Sequence, residues 1–362
     1  MDFSIHKNIK ESHTLHTDFY TSDAVYEKAK EVIFANSWLY AGDSSYIADK
    51  GSVHPFTLLK HVLDEPLLLT RDLDGQAHCM SNVCTHRGKV IVEEAGKKQM
   101  LSCGYHGRCF RLDGKYKSMP EFNDVVNFPS KADDLHPLAL EEWLGLCFTN
   151  LNPSVPFSTV IKPIQDRLHW LPFDTMSYIE EKSTDYIVNG HWALYCDNYL
   201  EGFHVPFVHA GLNDALAFDE YAYETHEYCN LQLGVAKEGE PCFDIPKDSP
   251  DHGRNIYAYY YWVWPNMMFN IYPWGLSLNI IEPVAKDLTL VKFRTYQFEG
   301  TEFDWTANQI DITELEDEAV VESVQEGIKS RFYNAGRFSP KMESCVHHFH
   351  GLVSDAMRQS DV

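Results

Sequence analysis

Positive charge is scarce in this 362-residue chain: 30 Lys and Arg stand against 53 Asp and Glu, a formal net charge of −23. That balance repels polyphosphate and anionic lipid, so nucleic acid and membrane surfaces are excluded as partners. Long apolar runs are also missing. No stretch reaches the roughly eighteen apolar residues needed to span a bilayer. The first residues, MDFSIHKNIKESHTLH, lack a basic region followed by an apolar one, so no secretory signal is read and the expected compartment is the cytoplasm. There is no internal repeat, and no glycine-rich dinucleotide fingerprint occurs. Any nicotinamide-derived electrons therefore have to arrive through another protein. The nine cysteines are odd in number and follow no disulfide-like framework, which fits reduced thiols with a few reserved for other work.

What the chain does contain is a pair of Cys/His fragments. Cys84-Thr85-His86 is followed by Arg87-Gly88, and Cys103-Gly104-Tyr105-His106 by Gly107, with sixteen residues between His86 and Cys103. Two thiolates and two imidazoles are the ligand set of a [2Fe–2S] cluster in which His replaces Cys on one iron. They are equally the ligand set of a structural zinc site, although neither fragment has the usual zinc-finger spacing. Both readings stand on this stretch alone. Around it, Arg87, Lys89, Lys97, Lys98, Arg108, Arg111, Lys115 and Lys117 outnumber Glu93, Glu94 and Asp113, a local excess of about +5. Such a patch is either a solvated face or a docking surface for an acidic electron donor.

The length suits two domains. Residues 1–34 form an N-terminal segment, with a helix beginning at Thr21 or Ser22, expected to pack on the catalytic domain. Residues 35–155 alternate short apolar runs with Asp-Gly turns, the pattern of antiparallel hairpins, and carry both Cys/His fragments on loops. Residues 156–362 form the second domain, reached through a Pro-rich stretch over 152–175. It is expected to hold a helix near 192–210, strands over about 225–300, and an acidic helix over about 308–330.

In that second domain, Glu201, His204 and His209 lie within CDNYLEGFHVPFVHAG. Two histidines five apart diverge on a regular helix, but Pro206 between them is expected to kink it and turn both imidazoles inward. A mononuclear non-heme iron centre needs two His and one carboxylate. In the acidic helix, Asp317 shares a stripe with Val320, Val321, Val324 and Ile328 and is expected to face the core, whereas Glu318 faces water and Glu316 is the reserve ligand. Against this stands the ordinary reading of core histidines and a first-turn helix carboxylate.

Taken together, Glu201-x2-His204-x4-His209 and the distant Glu316-Asp317, followed by Gln325-x-Gly327, resemble the Rieske-type aromatic-ring-hydroxylating oxygenases. The resemblance runs over nearly the whole chain. It implies an α+β protein, with a Rieske antiparallel β-domain followed by a helix-grip catalytic domain of antiparallel sheet and helices, assembled as a homotrimer. Cys84 and Cys103 would bind one iron of a [2Fe–2S] cluster and His86 and His106 the other. His204, His209 and Asp317 would hold Fe(II), the site at which O2 reacts as co-substrate. Glu201 would bridge the cluster of one subunit to the iron of its neighbour. Relatives that hydroxylate rings mostly have Asp at that position, while the branch acting on carnitine- and choline-like compounds has Glu. Electrons would come from a ferredoxin or a flavin/iron–sulfur reductase, with NAD(P)H serving only indirectly. The chain departs from the family at Arg108, where many relatives have Trp, and at Thr85, where Arg is frequent.

The expected reaction is therefore mono- or dioxygenation of a small molecule. A quaternary-ammonium compound of the carnitine, betaine or choline kind is the first reading, with demethylation or C–N cleavage as the outcome. An aromatic acid is the second. A zinc or Rieske electron-transfer module without oxygenase activity is a third, which the extra domain and its His204/His209/Asp317 set disfavour. For the substrate pocket the sequence offers Phe203, Tyr259, Tyr261, Trp262, Trp264 and Asn270, since aromatic faces attract a cation, although packing explains the same rings. The HHFH run at His347, His348 and His350 is read as packing, because no carboxylate is matched to it.

Overall fold

A computed structural model of the chain describes residues 3–303 and 310–359. They fall into two compact units, Ala35–Pro153 and the pair Met1–Phe34 with Ser154–Val362. In Ala35–Pro153 the apolar runs pair into a seven-stranded sheet. Its order is Leu39–Asp43, Leu146–Asn150, Pro137–Trp143, Ala77–Ser81, Glu65–Arg71, Ser52–Leu58 and Gly96–Lys97. Leu101–Ser102, Cys109–Phe110 and Tyr116–Ser118 form a separate three-stranded sheet. Two Asp-Gly pairs make turns, with Gly75 and Gly114 at φ of +96° and +80°, values that glycine adopts without steric cost. One apolar cluster of this unit contains Val53, Leu68, Met80, Leu101 and Phe110 together with Cys84 and Cys103. The two cysteines are core residues, so the packing that folds the unit also fixes the thiols.

The other unit is built on an eight-stranded antiparallel sheet. The order is Ser177–Tyr178, Leu288–Gln297, Gly275–Ala285, Met267–Tyr272, Ile256–Val263, Cys229–Val235 and Ala222–His226, with Thr184–Val188 also paired to Leu288–Gln297. Ile256–Val263 is buried at seven of its eight positions, which requires cover on both faces. Phe157–Leu168 supplies one cover, and the Tyr261 hydroxyl donates to the Pro163 carbonyl at 3.4 Å. Trp192–Tyr199, Ile310–Gly327 and Ser344–Gln359 lie on the opposite face, where Tyr199 donates to Asn270 Oδ1 at 2.9 Å and Trp262 packs on Phe349 with ring centroids 5.1 Å apart.

Several expected elements differ. The Pro-rich stretch 152–175 contains the helix Phe157–Leu168, whose Phe157, Val160, Ile161, Ile164 and Leu168 are buried at helical spacing. The expected helix 192–210 stops at Tyr199 and resumes as Val205–Val208 and Ala210–Ala215. Ser344–Gln359 is a helix that was not foreseen, with Cys345, Phe349, Val353 and Met357 buried along one face. On it, His350 is buried, 2.8 Å from Asp197 Oδ1 and accepting the Leu15 N–H at 3.1 Å, so it ties the N-terminal segment down. The acidic helix is described from Ile310; the expected residues 308 and 309 lie outside the described residues. Among the described residues no helix is long and apolar enough to cross a membrane.

His191 caps Trp192–Tyr199 by accepting the Ala193 N–H at 3.2 Å, and its ring is enclosed by Phe19, Tyr20 and Trp192. Burial pushes its pKa down to about 3, with Lys286 adding slightly. The folded chain keeps this ring neutral while the unfolded chain protonates it near the ordinary value of about 6.5. Stability is therefore intact above that value and falls as the pH drops, by up to about 1.4 kcal/mol per pH unit. Asn can also cap but cannot titrate. His191→Asn should lose about 2 kcal/mol less than the parent between about pH 7 and pH 5, read by urea unfolding; equal losses would contradict this.

Candidate metal centres and substrate cavity

In Ala35–Pro153 the two Cys/His fragments form matching loops. Cys84 N–H donates to the Lys89 carbonyl and Gly88 N–H to the Cys84 carbonyl, both at 2.9 Å. Cys103 N–H donates to Arg108 at 2.8 Å and Gly107 N–H to Cys103 at 3.0 Å. Gly88 and Gly107 take φ of +71° and +72°, which the reversal requires. Each loop buries its thiol and turns its imidazole outward. Cys84 and Cys103 are 3% and 2% exposed, His106 is exposed and His86 partly so, and the two rings lie 4.7 Å apart. Burial raises the Cys84 pKa, while the backbone N–H groups of His86 and Arg87 act the other way and favour the thiolate. Buried thiolates with amide donors, opposite two imidazoles, suit an iron–sulfur cluster.

Arg108 is not a surface charge. It is 2% exposed, its Nη2 lies 2.6 Å from Asp133 Oδ1, and Phe110, Tyr116 and Phe128 surround its guanidinium at 5.7, 5.3 and 5.4 Å. Burial alone would raise the Asp133 carboxyl, but the Ser130 amide and Arg108 outweigh it and hold it below the usual carboxylate range. Lys89, Lys97, Arg111 and Lys115 are likewise paired, with Glu93, Asp49 and Asp113. Asp133 and Asp49, which lie outside the counted stretch, thus trim the expected basic patch without cancelling it.

The second centre is made by chain breaks. Trp192–Tyr199 ends at Leu200, and His204 and His209 flank the single turn Val205–Val208. Pro206 sits in the first turn, where its missing N–H is not needed, so the breaks at its two ends turn the rings, rather than a kink at the proline. The Nε2 atoms of His204 and His209 are 3.1 Å apart. Asp317 Oδ1 lies 3.4 Å from the first and 3.0 Å from the second. These three ligand atoms all fall within 4.8 Å of one another.

The other ring nitrogens meet carboxylates. His204 Nδ1 is 2.7 Å from Glu201 Oε1, and His209 Nδ1 is 2.8 Å from Glu316 Oε2. With the protons held at Nδ1, two lone pairs and a carboxylate face one point, an arrangement that a cation relieves. Burial would lower the pKa of His209, but Asp317 and Glu316 outweigh it and leave it raised. Two imidazoles and one carboxylate with outer carboxylate partners match the donor set of a non-heme iron site.

The acidic helix is rotated from the expected phase. Val324 is 41% exposed, whereas Gln325 and Glu314 are 3% and 4% exposed. Glu318 does not face water: it is half-buried with Oε1 unpartnered, and burial raises its pKa. Polar residues that the hydrophobic stripe could not include are buried because they bond: Gln325 accepts the His191 N–H at 2.8 Å and Glu314 the Tyr195 hydroxyl at 2.6 Å.

A cavity of about 820 Å³ opens beside the three-atom site, walled by both histidines, Asp317, Tyr257, Tyr260, Tyr272, Trp274, Asn270 and Glu314. Of the expected pocket residues only Asn270 lines it. Tyr259 and Tyr261 point to the other sheet face, where Tyr259 bonds Asp251 and Tyr261 reaches Pro163. Trp262 and Trp264 are on the correct side but pack on Phe349. Phe203 is 44% exposed and lies near Phe207 instead. Tyr260, Tyr272 and Glu314 were missed. Glu314 stands three residues before Asp317, a spacing that shares its face.

A domain with buried thiols opposite paired imidazoles, and a second with two histidines and an aspartate at a cavity, define a two-centre iron oxygenase. The comparisons agree: residues 37–129 match the Rieske [2Fe-2S] domain and residues 173–359 the ring hydroxylating alpha subunit catalytic domain. The chain belongs to the Rieske-type ring-hydroxylating oxygenases, as their alpha subunit, and its cofactors are a [2Fe–2S] cluster and a mononuclear iron. Within that family it is 30% identical to the carnitine monooxygenase oxygenase subunit of Escherichia coli (strain K12), over 97% of this chain and 96% of the relative. It is 28% identical to the chloroplastic choline monooxygenase of Beta vulgaris, over 94% and 76%. The crystal structure of the quaternary ammonium Rieske monooxygenase CntA with L-carnitine matches at a TM-score of 0.77 and 26% identity, covering 99% of each chain. Naphthalene 1,2-dioxygenase, at 15% identity and a TM-score of 0.72, shares the fold.

The Arg108–Asp133 pair gives an asymmetric expectation. Asp133→Asn strands a buried cation and should cost about 3 kcal/mol. Arg108→Met fills the ring cage and leaves a carboxylate that water can reach, so it should cost less. Urea unfolding followed by loss of the cluster's visible absorbance measures both; the reverse order would refute the account.

Proposed function

We propose that the chain oxygenates a small quaternary-ammonium compound at a carbon attached to nitrogen. The observation that carries this reading is the wall of Tyr257, Tyr260, Tyr272 and Trp274 lining the cavity beside His204, His209 and Asp317. Stacked Tyr272 and Trp274 lie 5.2 Å apart, and Tyr260 stands edge-on to Tyr272 at 5.9 Å. Each aromatic face that a trimethylammonium group meets contributes about 0.5 to 2 kcal/mol. The relatives named for carnitine and choline oxidation support the same class.

In this reading His204, His209 and Asp317 hold the iron, and Cys84, Cys103, His86 and His106 hold the cluster. Bound iron(II) supplies oxygen activation and the cluster supplies single electrons. Glu201 and Glu316 keep the Nδ1 protons of His204 and His209 in place, so that both Nε2 lone pairs point inward. The aromatic wall orients the cation and keeps water from it. One O2, two electrons and two protons convert a C–H bond to C–OH and release one water. A hydroxyl on a carbon attached to ammonium nitrogen then releases its proton as the C–N bond breaks with its electron pair going to nitrogen, giving an aldehyde and a tertiary amine, which is demethylation or C–N cleavage.

Residues 35–155 act as the Rieske module and 156–362 as the catalytic domain, with 1–34 packed on the latter. The electron donor is a ferredoxin or flavin/iron–sulfur reductase, and the assembly is a homotrimer in the cytoplasm. Glu201 links the cluster of one subunit to the iron of the next; a solved relative is described in terms of inter-subunit electron transfer.

Metal analysis of anaerobically prepared protein should give about three irons and two sulfides per chain. His209→Ala and Asp317→Ala should lose about one iron, keep the cluster spectrum and stop oxygen uptake driven by trimethylammonium compounds. Zinc in stoichiometric amount without sulfide would sink the proposal. Glu201→Gln should retain both metals yet slow turnover about ten- to a hundredfold. Full activity in that variant would remove Glu201 from the electron path.

A further inference from the structure

Among the described residues, the carboxylates in the cavity wall face no Lys or Arg there. None of its lining residues is Lys or Arg, while Glu201, Glu240, Glu302, Glu314 and Asp317 all line it. The residues outside the description, 1–2, 304–309 and 360–362, contain no Lys or Arg either. Lys237, three residues before Glu240, gives its ammonium to the Asn213 carbonyl at 2.7 Å.

Two of the wall's amides are already committed. Gln232 Nε2 donates to the Tyr199 carbonyl at 2.6 Å and Asn270 Nδ2 to that of Ser277 at 3.1 Å. A substrate carboxylate would have the iron as its one cationic partner, and there it would compete with O2 for the open positions. The ring faces that attract ammonium repel an anion. Glu314 adds a specific feature, since its Oε1 is buried without a hydrogen-bond partner in the wall. Burial, with Asp317 and Glu318 nearby, pushes this carboxyl up to about 8 against the Tyr195 hydrogen bond; a bound ammonium favours its ionised form, and a carboxylate disfavours it.

We propose that the substrate is a net cation without a carboxylate, a trimethylammonium alcohol or ester rather than a betaine zwitterion, selected by the acidic wall containing Glu314. This rests on the quaternary-ammonium reading above and narrows it.

The test is titration calorimetry on the iron-loaded holoenzyme with matched pairs: choline against glycine betaine, and the methyl ester of γ-butyrobetaine against γ-butyrobetaine. The cation of each pair should bind at least about tenfold more tightly. Glu314→Gln should shrink that ratio at least about threefold while iron content and the visible spectrum stay unchanged. Equal or tighter binding of the zwitterions overturns the inference and leaves the quaternary-ammonium reading standing. An unchanged ratio in Glu314→Gln and also in Glu240→Gln overturns selection by the wall. If no trimethylammonium compound binds or drives oxygen uptake, the broader reading falls and this one with it.

Discussion

One imidazole is gripped on both sides by adjacent residues of one helix. Glu316 takes Nδ1 of His209 at 2.8 Å and Asp317 approaches its Nε2 at 3.0 Å. Consecutive helical residues diverge by about 100°, so they can reach opposite edges of a ring only if the helix axis passes close beside it. The helix must therefore be locked in place. Glu322 Oε1 accepts the Asn189 N–H at 2.9 Å and Gln325 Oε1 the His191 N–H at 2.8 Å. Between them, a Cβ on Gly190 would meet Val321 Cγ1 at 2.9 Å, so glycine there lets the helix approach. These contacts tie the acidic helix to 189–191, the start of the same segment that carries His204 and His209.

That coupling explains why the catalytic segment can afford its breaks. A one-turn helix such as Val205–Val208 has little intrinsic stability. Its ends are instead defined by side chains: Glu201 Oε2 accepts the His204 N–H at 3.0 Å while Oε1 meets the same residue's Nδ1 at 2.7 Å. Glu201 thus anchors the backbone of the residue before the turn and orients its imidazole at once. A shorter Asp would not span both contacts with the same backbone, which gives the glutamate a local structural reason independent of any substrate preference.

How far the sequence could be read depends on which physical signal carried each feature. The candidate ligands are chemically unusual and sit in recognisable motifs, so Cys84, His86, Cys103, His106, His204, His209 and Asp317 could be named as candidates from sequence, and the last three do converge. The phase of the acidic helix could not be read, because Glu314 and Gln325 are buried by hydrogen bonding and hydrophobic periodicity counts only apolar residues. The pocket failed for another reason. Alternation along Ile256–Val263 separates two groups of rings correctly, yet both faces of the sheet are covered, and nothing in the alternation says which face keeps a cavity. Trp262 shares its face with Tyr260 and is still excluded, since Ser344–Gln359, a helix that was not foreseen, fills the space over it. The basic patch was counted too high because net charge along a segment ignores partners distant in sequence, such as Asp133 for Arg108 and Asp49 for Lys97.

The cluster loops show a related division of labour. Cys84 and Cys103 belong to an apolar core with Leu68, Met80 and Phe110, whereas the imidazole ends are turned outward. A thiolate left in that core without a metal would be an unpaired buried charge, and burial raises the Cys84 pKa accordingly. Imidazoles carry no such penalty and can sit at the surface. The arrangement that shields sulfur from water would therefore leave the imidazole side of a bound cluster facing outward, and a single folding choice, cysteine in and histidine out, would give that cluster its direction.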